Sequence, residues 1–129
     1  MIFGTFDFLH EGHLNFFKQA KKLGGYLIVV VARDKFVKKA KGRKPIHNER
    51  IRLNNIRRKN ADKAILGSKT HDFYRTIRTH KANIIALGYD QKPIINQLQK
   101  DLKRHRLVVK TVRLKAYKPG VYKSSKFIS

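Results

Sequence analysis

Residues 4–13 combine the side chains and the spacing that could bind a phosphate group. They read Gly-Thr-Phe-Asp-Phe-Leu-His-Glu-Gly-His, so His10 and His13 stand three positions apart. The apolar residues before this segment predict the end of a strand, its Gly-Thr pair predicts a tight turn, and Gly12 opens an amphipathic helix. Such a strand–turn–helix unit directs unpaired backbone N–H groups outward, where they can donate to phosphate oxygens. Because residues three apart on a helix share a face, both imidazoles can contact one anion, and we interpret the segment as a phosphate site.

Two other interpretations of the histidine pair are open. Zinc sites usually take four ligands from Cys, His and carboxylates, but this chain has no Cys, and no third ligand stands at a suitable spacing nearby. The histidines could also be ordinary surface residues on the first turn of a helix. A lone His-x-x-His would favour that interpretation, but the Gly-Thr-Phe-Asp segment ahead of the pair favours the phosphate site.

The rest of the chain alternates predicted strands and helices. Apolar, β-branched runs predict strands at 26–32, 63–66, 83–87 and 107–114. Helical periodicity and capping residues predict helices at 12–23, 49–58, 72–79 and 94–104, with a basic loop at 38–44. With the N-terminal strand, these elements predict one α/β domain over residues 1–129. We expect a doubly wound, Rossmann-like fold with a five-stranded parallel sheet and helices on both faces.

In such sheets, ligands bind beyond the carboxyl ends of the strands, near the point where the strand order reverses. The Gly-Thr-Phe-Asp turn, the loop after Ala32, the segment Leu87–Gln91 and the tail after Leu114 all leave strands at that edge. Gly88 would let the backbone approach a flat ligand, and Asp90 can accept a hydrogen bond from a ribose hydroxyl or a base amino group. We therefore expect these distant segments to converge on one site.

Charge is the most extreme feature of the composition, with 31 Lys and Arg residues against 8 Asp and Glu residues, a formal net charge of +23. Such a surface attracts polyanions, so nonspecific nucleic-acid binding is one expectation. Because the lysines are scattered, a site for phosphorylated substrates or a codon bias toward Lys is favoured over dedicated RNA binding. No apolar run reaches the length of a membrane span, and Cys is absent, so we expect a cytoplasmic protein with no signal peptide and no membrane contact.

The decapeptide fits the pattern G-T-F-D-x-x-H-x-G-H, which resembles the signature of the cytidylyltransferase-like nucleotidyltransferases of the HxGH type. Leu-Gly-Tyr-Asp-Gln at 87–91 and Ser-Ser-Lys at 124–126 are most similar to archaeal-type FAD synthases. The glycerol-3-phosphate cytidylyltransferase branch tends to carry Gly-Asp-Asp-Trp at the first of these segments. The resemblance implies transfer of NMP from an NTP to a phosphate monoester with release of pyrophosphate. Within the family it favours ATP as donor and FMN as acceptor.

The resemblance also implies roles for individual residues, among them stabilisation of the pentacoordinate transition state at the α-phosphate by the two histidines. The predicted catalytic residues are His10, His13, Lys41 and Lys126. The predicted nucleotide-binding residues are Gly4, Thr5, Phe6, His10, Gly12, His13, Gly88, Tyr89, Asp90, Ser124 and Ser125. The predicted acceptor-binding residues are Asp7, Asp34, Lys41 and Arg43. Glu49-Arg50 resembles an acid–arginine pair of the family, and Mg²⁺ is expected with the NTP, its protein ligands left open.

Two alternatives to FAD synthesis stay open. One is a cytidylyltransferase acting on glycerol-3-phosphate or a related polyol or sugar phosphate, and the other is a non-catalytic relative that binds nucleotide or RNA. The intact histidine pair argues against the second alternative. The short ends argue for it, since few residues precede Gly4 and the helix that follows the Ser/Thr turn in the family is missing, as in a shortened domain. The expected partners are small molecules, namely an NTP and FMN or another phosphate monoester, and a second copy of the chain in a homodimer.

Overall fold

The computed structural model describes residues 1–59, 61–89, 91 and 95–116. Over these residues, five strands and five helices alternate along the chain. The strands are β1 (Ile2–Gly4), β2 (Ile28–Val31), β3 (Lys63–Leu66), β4 (Ile84–Leu87) and β5 (Lys110–Arg113). The helices are α1 (Glu11–Gly24), α2 (Asp34–Lys41), α3 (Glu49–Arg57), α4 (Phe73–Thr79) and α5 (Ile95–Arg104).

All described strand pairs are parallel, which confirms the expected α/β class. β2 lies between β1 and β3, and β4 pairs with β5. Between these two groups, Met1 N donates to Ile84 O at 2.8 Å and Met1 O accepts from Ala86 N at 3.1 Å. The ladder of the expected five-stranded sheet is therefore divided into sheets of three and two strands, because the short β1 offers little backbone to pair with β4.

Apolar side chains cover both faces of the strands. α1 and α3 contribute Phe17 and Leu53 to the core on one face. α4 and α5 contribute Ile77 and Leu102 to the core on the other face. The expectation of helices on both faces is thus confirmed for the described part of the chain. None of the helices described in it is long and apolar enough to cross a membrane.

Local sequence signals account for most helix ends. The Asn48 side chain accepts from Ile51 N at 3.0 Å and caps α3 as expected, and Gly25, with φ 74°, ends α1. The prediction of a loop after Ala32, with a basic loop at 38–44, was wrong for most of this segment, since Asp34–Lys41 form helix α2, which ends where Gly42 adopts φ 79°. Lys and Ala are strong helix formers, so the density of positive charge did not by itself mark a loop.

Candidate active site

The turn that follows β1 is folded around an aromatic ring. Phe6 takes a left-handed backbone conformation, with φ 54°, and its buried ring lies over Gly4. A Cβ atom at Gly4 would lie 2.5 Å from Phe6 Cζ, so only glycine fits while the ring stays in place. Phe17 of α1 holds the ring with centroids 5.3 Å apart, and His13 contacts it at 5.4 Å. The turn thereby fixes the start of α1 relative to β1.

The structure brings the two predicted catalytic histidines together at the start of α1. Their ring centroids lie 3.9 Å apart and the ring planes meet at 28°. His10 is the N-cap residue, and its Nδ1 accepts a hydrogen bond from Gly12 N at 3.1 Å. The neutral form of His10 therefore carries its hydrogen on Nε2. The N–H of Gly12, one of the predicted nucleotide-binding residues, is used in this helix cap.

Burial favours the neutral form of both imidazoles. It lowers the pKa of His10, and it is the main cause that lowers the pKa of His13 to about 4. Repulsion from His10 and Lys41 adds to the lowering at His13, while a hydrogen bond with the Phe8 backbone opposes it. His13 Nδ1 is buried and has no hydrogen-bond partner among the described residues. A phosphate oxygen would satisfy this nitrogen once it carries a proton, and the negative charge would raise the lowered pKa.

Asp7 ties the segment between α2 and α3 to the turn after β1. The Asp7 side chain is fully buried, and its carboxylate accepts from Ile46 N at 2.6 Å and from His47 N at 2.8 Å. His47 Nδ1 also lies 2.9 Å from Asp7 O. Both carboxylate oxygens are therefore engaged within the chain, where they position the segment 42–47.

Arg52 is a site residue that the sequence motifs do not indicate. Its side chain is 0% exposed and donates to Thr5 O at 2.8 Å, His47 O at 3.0 Å and Asp34 Oδ1 at 2.6 Å. These bonds join the turn after β1, the segment before α3 and the first residue of α2. A sequence signal for this role exists, because Arg52 lies four positions before Ile56 on the buried side of α3.

Two carboxylates hold the N-terminal ends of α2 and α3 together. Asp34 N donates to Glu49 Oε1 at 2.9 Å, and Glu49 N donates to Asp34 Oδ2 at 3.2 Å. Arg33 Nη1 lies 3.4 Å from Glu49 Oε2. Of the Glu49-Arg50 pair, only the glutamate is engaged here, since Arg50 is exposed.

Lys41, the last residue of α2, lies close enough to the histidine pair to affect its charge. Partial burial lowers the pKa of Lys41, with further lowering from Arg43 and Arg52 and an opposing effect from Asp7. Lys41 in turn contributes to the lowered pKa of His13. The predicted cation is therefore near enough to the predicted imidazole to influence its charge, and Arg43 is exposed.

A basic cavity of about 600 Å³ opens beside α2. Its acidic lining residues, Asp34 and Glu49, are already bonded to arginines. The cavity therefore presents a positive surface to an anionic ligand. The residues that line it are Arg33, Asp34, Lys35, Lys38, Lys44, Glu49 and Lys69.

The end of β4 is fixed by Gln91. Its Oε1 accepts from Gly88 N at 2.8 Å, and its Nε2 donates to Phe3 O at 2.8 Å. Arg113 Nη1 donates to Gly88 O at 2.8 Å and also contacts Gln91 O. The Gly88 backbone is thus engaged on both sides, with the half-buried Tyr89 beside it. These bonds place the segment after β4 next to β1 and the turn that leads to the histidines.

The structure therefore gathers His10, His13 and Lys41 around the turn after β1, with Asp7 and Asp34 engaged in bonds that hold this site together. The remaining predicted residues Asp90, Ser124, Ser125 and Lys126 lie outside the described residues. Sequence motifs missed Arg52, His47 and Arg113, and they included Gln91 in the segment Leu87–Gln91 without giving it a role. Each of these acts through backbone groups of other segments, so no local motif could have identified the partners.

The comparisons with known proteins agree with this geometry. The model of the cytidylyltransferase-like family matches residues 1–129. A curated FAD synthase from Aciduliprofundum boonei is 45% identical over 118 residues, covering 91% of this chain and 78% of the relative. A FAD synthase from Methanothermus fervidus is 45% identical over 122 residues, covering 92% and 83%. Among solved structures, a lipopolysaccharide core biosynthesis protein from Thermoplasma volcanium superposes with a TM-score of 0.86 at 42% identity, covering 92% of this chain and 96% of that one. Because the family model matches the whole sequence, the chain belongs to the cytidylyltransferase-like family.

Proposed function

We propose that this chain is an FAD synthase, an adenylyltransferase that transfers AMP from ATP to the phosphate of FMN and releases pyrophosphate. The observation that carries the proposal is 45% identity to a curated FAD synthase over 91% of the chain. The stacked histidines at the end of β1 support it, because they stand where donors are needed for phosphoryl chemistry.

In this reaction an oxygen of the FMN phosphate forms a bond to the α-phosphorus of ATP. The bond from that phosphorus to the bridging oxygen breaks, and its electron pair leaves with pyrophosphate. The acceptor is a phosphate monoester and is anionic near neutral pH, so the step requires no general base. This agrees with a site whose carboxylates, Asp7 and Asp34, are engaged in internal hydrogen bonds. Catalysis then consists of orientation and charge stabilisation.

The histidine pair and Lys41 supply that stabilisation. His10 donates through Nε2, which carries the hydrogen because Nδ1 accepts from Gly12 N. His13 is neutral in the free protein, with a pKa of about 4, and the arriving phosphate raises this pKa so that Nδ1 can donate. Lys41 neutralises charge shared between the two substrates. The predicted contacts of Ser124, Ser125 and Lys126 with the triphosphate, and of Asp90 with the nucleoside, complete this arrangement.

Asp7 and Asp34 act on the acceptor side as positioning residues. Asp7 holds the segment that carries Arg43 against the histidine turn through Ile46 N and His47 N. Asp34 is held by Arg52 at the start of α2, the helix that ends in Lys41. Both carboxylates thereby set the place of cations that meet the FMN phosphate.

Magnesium enters this proposal with ATP. The described residues contain no group of three or more His, Cys, Asp and Glu side chains placed to hold a metal ion. Their donor set does not fit a protein-held metal site. Mg²⁺ typically keeps several waters and binds through substrate phosphates, so we assign it to the triphosphate and derive no step through it.

We further propose that residues 1–129 act as one domain whose strands behave as a single sheet in the order β3-β2-β1-β4-β5. The hydrogen bonds of Met1 with Ile84 and Ala86 support this continuity. It places the site at the switch point of the strand order, where ligands of such sheets bind. A homodimer and nonspecific nucleic-acid binding stay predictions, and small-molecule substrates suffice for the reaction.

One finding favours a second candidate acceptor. The Thermoplasma volcanium protein with a TM-score of 0.86 is described as a lipopolysaccharide core biosynthesis protein. Because lipopolysaccharide contains sugars, this neighbour favours a sugar phosphate as the second candidate acceptor of this chain. The phosphate end of such an acceptor would meet the same histidines and Lys41, so only the rest of the molecule distinguishes it from FMN.

Pyrophosphate release tests the proposal directly. Purified protein is assayed with Mg²⁺ and either ATP or CTP against FMN, glycerol-3-phosphate and a panel of sugar phosphates, with FAD followed by chromatography. Release with ATP and FMN alone is the expected result. Release with CTP and glycerol-3-phosphate, or with a sugar phosphate, would replace FMN by that acceptor. Absence of release from every pair by a folded protein that binds nucleotide would favour a non-catalytic relative.

A further inference from the structure

Three aromatic rings meet near the carboxyl ends of β1 and β3, apart from the histidine pair. The His71 ring lies 4.3 Å from that of Phe36 at 30°, and 4.5 Å from that of Phe73 at 63°. Phe73 also contacts Phe3 of β1, with ring centroids 5.4 Å apart at 87°. The rings come from α2, from the segment before α4 and from the first residue of α4. We name Phe36, His71 and Phe73 the aromatic shelf.

The aromatic shelf is open to solvent. Phe73 is 44% exposed, His71 is exposed and Phe36 is half-buried. His71 adopts φ 58°, a left-handed conformation in which His, Asn and Asp are enriched among residues other than Gly. A single exposed ring would be unremarkable. The rings lie tilted or edge-on to one another and Lys35 Nζ lies 4.9 Å from the Phe36 centroid, so the cluster offers ring edges and the exposed part of Phe73 to an aromatic ligand.

The position of the aromatic shelf relative to Lys41 suits an extended acceptor. Gly4, Val31 and Leu66 are aligned partners in neighbouring strands. Since adjacent strands lie about 4.8 Å apart, the ends of β1 and β3 are separated by about 10 Å. Phe36 precedes Lys41 by five residues on α2, which is about 7.5 Å along the helix axis and about 140° around it. A ligand with a phosphate at Lys41 would therefore pass around part of α2 to reach the shelf, which requires a flexible linker.

We propose that the aromatic shelf binds the isoalloxazine ring of the acceptor while its phosphate lies at Lys41 and the histidine pair. The inference rests on the proposed function, because it takes FMN as the acceptor. The isoalloxazine ring is flat and aromatic, and the ribityl chain is the linker that joins it to the phosphate. Offset and edge contacts between aromatic rings are favourable beyond the area that they bury. A glycerol phosphate has no group for this surface, so the shelf determines acceptor specificity.

Two flavins separate the ring contact from the phosphate contact. Riboflavin carries the ring without the phosphate, and binding of either flavin is followed by the quenching of its fluorescence. In the double variant F36L/F73L we expect the Kd values of FMN and riboflavin to rise by the same factor, about tenfold. Lys41→Gln should raise the Kd of FMN and leave that of riboflavin unchanged. Binding of ATP should be unaltered in F36L/F73L.

Matched variants guard against an effect on folding. His71→Asn removes the central ring and keeps a residue that tolerates φ 58°. If the far-UV circular dichroism of F36L/F73L shows loss of structure, the flavin Kd values of His71→Asn test the shelf in its place. Tyr26→Leu removes an aromatic ring that is 60% exposed before the amino end of β2, and it should change neither flavin Kd.

The outcomes distinguish the shelf from the proposed function. If the wild type forms FAD and the shelf variants keep the wild-type KM for FMN and the wild-type flavin Kd values, the shelf inference is wrong and FAD synthesis stands. If the wild type binds neither flavin and accepts another phosphate monoester, the proposed function fails and the shelf inference fails with it. A parallel rise of both flavin Kd values, confined to the shelf variants, supports the inference.

Discussion

Replacing Arg52 by methionine should destabilise the protein more than any change on the exposed side of the same helix. Met has a similar length and keeps the apolar part of the side chain, but it removes every donor of the guanidinium. The carbonyls of Thr5 and His47 and the carboxylate of Asp34 then lose hydrogen bonds of 2.8, 3.0 and 2.6 Å. The perturbation therefore isolates the polar contacts of one fully buried side chain.

The magnitude follows from the environment of each acceptor. Breaking a buried ion pair by removing one partner costs about 3–5 kcal/mol. The Asp34 side chain is 25% exposed, so water recovers part of its solvation, and we take the lower end, about 3 kcal/mol. Arg52→Lys keeps the charge but cannot reach all three acceptors, and we expect a loss of about 1–2 kcal/mol. Against a typical total of about 5–15 kcal/mol, the methionine variant is still folded in the absence of denaturant.

Urea unfolding followed by circular dichroism measures the free energy of unfolding. With a typical slope of about 1–3 kcal/mol per molar urea, the midpoint of Arg52→Met should fall by roughly 1–3 M. Arg50→Met is the matched control, since Arg50 is exposed on the same helix and its loss should change stability by less than about 0.5 kcal/mol. If Arg52→Met and Arg50→Met lost equal stability, the assignment of Arg52 as the link between these segments would be refuted.

The remaining predictions concern the histidine turn. His13→Ala should lower kcat about 100- to 1000-fold, measured by pyrophosphate release, with the circular dichroism spectrum and nonspecific RNA binding nearly unchanged; retention of wild-type turnover would contradict its catalytic role. Gly4→Ala places a Cβ 2.5 Å from Phe6 Cζ and should cost about 1–3 kcal/mol in urea unfolding, whereas Gly24→Ala, 3.9 Å from its nearest neighbour, should cost less. Stability should also depend on pH through His13, whose folded pKa of about 4 lies below the value of 6.5 for an unperturbed histidine. As the pH falls, the His13 imidazole of the unfolded chain is protonated before that of the folded protein. The contribution of neutral His13 to the free energy of unfolding is therefore complete above about pH 6.5, and up to about 3 kcal/mol of it is lost as the pH falls toward 4. Urea midpoints across that range should fall less steeply in His13→Gln than in the wild type, and parallel curves would show that His13 is not the group responsible.

Much of the fold could be predicted because it depends on local signals. The β-branched run around Val29 and Val30 predicted a buried strand, and Asn48 and Gly25 marked helix ends where the structure has them. The extent of strands was less predictable, since Tyr26 and Leu27 belong to the apolar run but precede β2. Apolar character reports burial, and only backbone pairing decides where a ladder ends.

The part of the site that could be predicted consists of chemically active residues that are close together in the sequence. His10 and His13 are three residues apart, so their contact follows from helix geometry alone. The bonds of Arg52 with Thr5 and His47 depend on how α3 docks on β1, and no spacing in the sequence encodes that arrangement. Helix α2 was missed for another reason, since a dense run of lysines suits a solvated loop and an exposed helix equally well.

The division between the two strand groups has a mechanical consequence. β1, β2 and β3 precede the residues of the proposed acceptor side, while Gly88 and Tyr89, which follow β4, belong to the proposed nucleotide side. Across this seam, the described backbone hydrogen bonds involve Met1, and the Gln91 side chain adds one more to Phe3 O. The two strand groups are also joined by apolar packing on both faces. Ala86 of β4 packs in the core of one face and Val30 of β2 packs in the core of the other. The relative position of the two strand groups, and with it the alignment of the two proposed substrates, therefore depends on this packing and on the few hydrogen bonds of Met1 and Gln91.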